Sequence, residues 1–81
     1  MEHCYLSLSA LPIGHTARVT GLSATGSERR RLLDLGIVSG TIIEALQKSP
    51  SGDPVAYAIR GAVIALRRED ASKIMIEALE Y

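Results

Sequence analysis

The sequence contains no tryptophan, no phenylalanine and only one cysteine. With three tyrosines as its only aromatic residues, the protein must build its core from leucine, isoleucine, valine and alanine. The single thiol, Cys4, cannot form an internal disulfide, and this fits a protein of a reducing compartment. These absences predict an aliphatic core and a fold that no internal disulfide stabilises.

The sequence also lacks an excess of charge and a long apolar run. Nine basic residues balance nine acidic ones, whereas a general nucleic-acid binder carries surplus lysine and arginine to neutralise phosphates. Apolar runs such as Ala62–Leu66 fall far short of the roughly 20 residues that span a bilayer. Residues 1–6 lack the basic and apolar regions of a signal peptide. We expect a cytoplasmic protein that does not bind nucleic acid and does not cross the membrane.

Short segments separated by glycine, proline and serine predict a mainly β fold. The 81 residues are expected to form one domain, residues 1–81, with a core over about residues 8–79. Alternating apolar and polar residues predict five short strands. The predicted strands are residues 16–22, 41–48, 55–60, 62–66 and 73–79. Residues 62–66 are apolar enough to be a central strand. Several short strands with tight turns favour a small five-stranded barrel, which has no exposed edges.

One short helix is predicted over residues 27–35, after the first of these strands. Thr25 and Glu28 have the spacing of a capping box at its start. Leu32 and Leu33 are expected to face the core. Gly36 is expected to end the helix in the left-handed conformation that glycine adopts readily.

Catalytic and phosphate-binding motifs are missing from the sequence. There is no nucleophilic triad pattern, and neither common glycine-rich phosphate loop is present. The residues that could bind a transition metal through nitrogen or sulfur are His3, Cys4 and His15. Their spacing matches no closed zinc motif. We interpret them either as an ordinary chain terminus or as a weak site for iron or zinc, in one chain or across a homodimer.

Two polar segments are candidates for binding a protein partner. Three consecutive arginines lie near the start of the predicted helix, where the helix dipole disfavours cations. This placement favours a docking surface, although a solvated helix face would look the same. Residues 51–54 have the composition of a hairpin turn and form the second candidate. The candidate partner-binding residues are Arg29, Arg30, Arg31, Asp34, Ser51, Gly52, Asp53 and Pro54.

An ordered set of motifs resembles the FeoA family of bacterial ferrous iron uptake. The most specific motif is Arg-Arg-Leu-Leu-Asp-Leu-Gly-Ile at residues 30–37, and the next is Leu-Arg-Arg at residues 66–68. The resemblance covers about residues 8–76. Further matching segments are Leu-Pro-Ile-Gly at 11–14, Ser-Gly-Thr at 39–41, Gly-Asp-Pro at 52–54 and Arg-Gly at 60–61.

The resemblance implies an SH3-like barrel with one helix between the first two strands. It also implies a non-enzymatic cytoplasmic accessory of the membrane transporter FeoB, which modulates transport or GTPase activity. The alternative is a small domain that carries or senses a transition metal. The SH3-like fold and the transporter role are implied by the family, whereas the metal alternative rests on His3, Cys4 and His15 of this sequence.

Overall fold

The structure, a computed structural model, describes residues 6–79. Its strands are β1 (Leu6–Ser7), β2 (Thr16–Leu22), β3 (Ile42–Lys48), β4 (Val55–Ile59), β5 (Ala62–Leu66) and β6 (Ile74–Leu79). Its helices are a 3-10 turn (Leu8–Ala10), α1 (Gly26–Asp34) and the four-residue α2 (Arg68–Ala71). No helix in this part of the chain is long and apolar enough to cross a bilayer.

All strands belong to one antiparallel sheet with the order β1-β6-β2-β3-β4-β5. The predicted mainly β fold, with one short helix between two strands, is confirmed. The strand count is six and not five, because β1 is too short to show a period of two. Strand β5 was expected to be central, but it lies at the end of the strand order. Over residues 6–79 the ladder does not close on itself.

The core is aliphatic, as the composition predicts. Alternate residues of each strand face inward, and β6 shows this directly, since Ile74 and Ile76 are buried while Met75 is only half-buried. Tyr57 is the buried aromatic residue of the described chain. Burying one aliphatic side chain contributes about 1.5–3 kcal/mol relative to leaving it exposed. The largest fully buried side chains are Leu8, Val19, Leu32, Ile37, Ile43, Ile59, Ile74 and Ile76.

Helix α1 contributes fewer side chains to the core than its sequence predicts. Leu32 is 1% exposed, but Leu33 is 37% exposed, so the expectation that both face the core is wrong for Leu33. The predicted capping box is also wrong. The Thr25 side chain caps nothing, and the Glu28 carboxylate accepts hydrogen bonds from Lys73 instead. Glu28 therefore pairs with Lys73, which is 45 residues away in the sequence, and not with Thr25 at the start of the helix.

Gly36 ends α1 as the sequence predicts. Its φ of +93° is left-handed, and the two hydrogen bonds of a Schellman motif follow. The Ile37 N–H donates to the Leu32 carbonyl at 3.1 Å, and the Gly36 N–H donates to the Leu33 carbonyl at 2.9 Å. Ile37 is fully buried, so this turn fixes the direction in which the chain enters β3.

Replacing Gly36 by alanine should lower the free energy of unfolding by about 1–2 kcal/mol, because a side chain is strained in left-handed backbone. An added Cβ would also lie 3.0 Å from the Arg60 Cδ. Gly21→Ala is the matched control, since its φ is not left-handed and a Cβ there meets nothing within 4 Å. Chemical denaturation measures both variants. Equal stabilities would contradict this account of the helix end.

Candidate docking site

The four-residue helix α2 contacts both segments that the sequence marks as candidates for docking. On one side, Arg31 Nη2 of α1 donates to Asp70 Oδ1 at 2.6 Å. On the other side, the Arg68 backbone N–H donates to Asp53 Oδ1 at 2.8 Å. Helix α1 and the β3–β4 loop are therefore fixed to the same short element. The sequence alone does not show this link, since Asp70 is 39 residues from Arg31.

Asp53 acts as the cap of α2, although it belongs to a different loop. The N-terminal N–H groups of a helix have no partner within it, and the residue in the capping position, Arg67, offers no side-chain hydrogen bond. The Asp53 carboxylate supplies the missing acceptor. Its other oxygen lies 4.0 Å from Arg67 Nη1. This contact explains why an aspartate stands in the Gly-Asp-Pro segment.

The β3–β4 loop is shaped by its own hydrogen bonds, which confirms the predicted hairpin turn. Ser51 Oγ donates to the Asp53 carbonyl at 3.0 Å, and the Gly52 N–H donates to the Ser49 carbonyl at 2.8 Å. The Ser49 N–H donates to the Pro54 carbonyl at 3.0 Å. Ser51 is exposed, while residues 52–54 are half-buried. The loop thus presents a fixed, partly accessible surface.

Helix α1 has one anchored side and one outward side. Glu28, Arg31 and Leu32 share the anchored side, as residues three or four apart on a helix do. The outward side carries Arg29, Arg30, Leu33 and Asp34, and all four are exposed. Within residues 6–79, none of its three charged side chains forms an ion pair or a side-chain hydrogen bond.

The predicted arginine cluster therefore divides into two parts. Arg29 and Arg30 are free to meet a partner, whereas Arg31 is held by Asp70, whose side chain is only 14% exposed. A charge reversal at Arg31 would place two carboxylates together and would disturb the fold as well as binding. Leu33 lies on the same outward side between these charged residues, where it is 37% exposed. We call Arg29, Arg30, Leu33, Asp34 and residues 51–54 the docking surface.

Lys73, the residue directly before β6, holds the first turn of α1. Its Nζ lies 2.7 and 2.8 Å from the two Glu28 carboxylate oxygens. This hydrogen bond lowers the pKa of Glu28 from its usual 4.5 and raises the pKa of Lys73 from its usual 10.5. The contribution of the pair to stability is thus complete between those two values. It is lost as the pH falls through the lowered pKa or rises through the raised one.

A small cavity of about 120 Å³ lies beside the loop, between Asp53 and the core. Leu11 and Leu66 contribute apolar walls, while Lys48 and Arg68 add positive charge at this site. Burial, together with the nearby Asp53 carboxylate, raises the pKa of the Tyr57 phenol. The phenol is therefore neutral at physiological pH.

Of the three predicted metal ligands, the described part of the chain contains His15. His15 is exposed, and no three His, Cys, Asp or Glu residues among 6–79 are placed to hold a metal ion. His3 and Cys4 lie outside the described residues.

An antiparallel sheet with one short helix between β2 and β3 defines a small β domain of the SH3-like class. Residues 6–78 match the family model of the FeoA domain, and the chain belongs to this family. The resemblance seen in the sequence is therefore confirmed.

Solved structures of FeoA proteins share this fold. The FeoA-like protein of Clostridium acetobutylicum is 34% identical, with a TM-score of 0.90 over the whole of this chain and 93% of that one. The FeoA of Stenotrophomonas maltophilia, solved in complex with zinc and described as an SH3 domain protein, is 29% identical. Its TM-score is 0.80, over 89% of each chain.

A curated relative links the domain to a transporter. It is the Fe(2+) transport protein A/Fe(2+) transporter FeoB fusion protein of Porphyromonas gingivalis, 39% identical over 74 residues. The match covers 91% of this chain but only 9% of the fusion protein. The family is therefore associated with ferrous iron transport.

Replacing Asp53 by alanine should lower the free energy of unfolding by about 1 kcal/mol, the usual cost of losing a helix cap. Asp34→Ala is the matched control. It removes a carboxylate that has no partner in the described chain, so its effect should stay within about 0.5 kcal/mol. Chemical denaturation of the three proteins measures the difference. Equal effects of the two substitutions would contradict the capping role of Asp53.

Proposed function

We propose that this chain is a non-enzymatic accessory protein of ferrous iron uptake that docks on the cytoplasmic side of a FeoB-type transporter. The supporting observation is the Porphyromonas gingivalis relative, in which the matching region and a FeoB transporter form one chain. Fusion holds two domains at high effective concentration. Where the two are separate proteins, a docking surface performs the same task. Docking then modulates transport or GTP turnover.

The docking surface meets the transporter through α1 and the β3–β4 loop. Arg29 and Arg30 present guanidinium groups that have no partner within residues 6–79. A guanidinium group suits the planar recognition of carboxylates. We therefore assign an acidic segment of the transporter to this side of α1, with Leu33 covered at the same contact.

The β3–β4 loop contributes to the docking surface a segment that is already held in place before a partner binds. Asp53 is held by the backbone of α2, so residues 51–54 keep one arrangement when the partner arrives. A preformed site loses less conformational entropy on binding than a mobile one. The cavity beside Asp53 then takes one side chain of the same partner segment.

Arg30→Glu should weaken binding to the isolated cytoplasmic GTPase domain of the FeoB-type transporter by about tenfold, because it places an acid against an acidic segment. Calorimetry with and without guanine nucleotide measures the affinity. The folded state is checked by thermal melting. Arg30 contacts no other side chain of the described chain by ion pair or hydrogen bond, so the melting temperature should not change.

Arg18→Gln is the control for this experiment. Arg18 is exposed on β2, where it pairs with Glu77 at 2.8 Å, and the substitution removes a positive charge away from the docking surface without placing a second carboxylate beside Glu77. It should leave affinity within about twofold, since exposed charge pairs contribute little. Full affinity in Arg30→Glu, or equal losses in both variants, would remove this side of α1 from the interface.

A second proposal is a transition-metal site, favoured by the zinc complex of the Stenotrophomonas maltophilia relative. Its ligands in this chain would be His3, Cys4 and His15, and the metal would be iron or zinc. Titration of the protein with either metal near neutral pH should then show saturable binding. Replacing the three residues together by alanine should abolish it. The proposal would be overturned if the original protein shows no saturable binding. It would also be overturned if the triple variant binds the metal as the original protein does.

A further inference from the structure

The outer face of the sheet exposes an apolar band that the docking surface does not use. Val63 is 69% exposed and Ile42 is 48% exposed, the two highest values among the large apolar residues of the described chain. Glu44 pairs with Ala58, and Ala58 pairs with Val63. Because Ile42 and Glu44 are two residues apart on β3, all four side chains lie on one face. Ile42, Ala58 and Val63 therefore form a diagonal band across three strands.

Opposite charges lie on the two sides of this band. Glu44 stands on one side, and Arg60, which directly follows β4, stands on the other beside Ile42. An open cleft of about 330 Å³ separates Arg60 from residues 38–41. Neither charged side chain has an ion pair or a side-chain hydrogen bond within residues 6–79. We call Ile42, Glu44, Ala58, Arg60 and Val63 the outer-sheet patch.

The outer-sheet patch is complementary to itself. A two-fold axis that runs along the apolar band, between two facing sheets, places Ile42 and Val63 against the same residues of the partner subunit. The same axis brings Glu44 opposite Arg60 of the partner subunit, and Arg60 opposite the partner's Glu44. A two-fold interface uses one patch twice, so each such contact occurs twice.

We propose that the outer-sheet patch binds a second copy of this chain. The balance of nine basic and nine acidic residues means that two copies do not repel each other. The patch is small, and interfaces below about 1,200 Å² of buried surface are weak or transient. Because the interface is weak, we expect the homodimer to form where the concentration of this protein is high. It leaves Arg29, Arg30 and residues 51–54 free, so self-association and docking on a transporter are separate properties.

Sedimentation velocity over a concentration series, from about 10 μM to about 1 mM, tests this proposal across the range of weak affinities. The wild-type protein should shift from monomer towards dimer. Glu44→Arg should raise the dissociation constant about tenfold, since it places like charges in contact at two places. The double variant Glu44→Arg/Arg60→Glu exchanges the two charges and should restore association to within about threefold.

Two further variants separate the interface from the fold. Val63→Lys puts a charge in the apolar band at a highly exposed position and should abolish the dimer without changing the melting temperature. Leu6→Lys is the matched control, because Leu6 is an exposed apolar residue on β1, at the other end of the sheet. It should associate like the wild type. A monomer at every concentration, or a dimer insensitive to Val63→Lys and to the charge exchange, would overturn the proposal.

Discussion

The hydrogen bond from the Arg68 N–H to the Asp53 carboxylate determines the shape of the candidate docking site. It joins the β3–β4 loop to the first residue of α2, which otherwise has no cap. Two residues further along α2, Asp70 holds Arg31 and with it helix α1. Two carboxylates at one four-residue helix therefore set the relative position of two segments that are distant in the sequence.

This arrangement gives the two sides of α1 different roles. The anchored side uses Glu28, Arg31 and Leu32 to bind Lys73, Asp70 and the core. The outward side is left with exposed charges and one exposed leucine. A surface that is fixed from behind needs little reorganisation when a partner binds. A small domain can act in this way, by presenting a rigid set of groups to a larger protein.

Local patterns predicted much of the fold and little of the site. Strands β2 to β6 and helix α1 were predicted because alternation, helical spacing and turn residues are properties of short segments. The cap of α2, the exposure of Leu33 and the terminal position of β5 were missed because each depends on contacts between distant segments. Arg31 illustrates the difference. Its sequence context indicates an exposed cation, and only the folded chain shows Asp70 beside it. The roles of Arg29, Arg30, Asp34 and residues 51–54 in binding remain predictions.

The central claim is that α1 and the β3–β4 loop form one docking surface for a FeoB-type transporter. Nuclear magnetic resonance of the ¹⁵N-labelled chain, titrated with the unlabelled cytoplasmic GTPase domain, tests it most directly. The account predicts that the backbone amide signals that shift belong to Arg29, Arg30, Leu33, Asp34 and residues 51–53 together. Changes confined to the outer-sheet patch, or no changes at saturating concentrations of the GTPase domain, would contradict it.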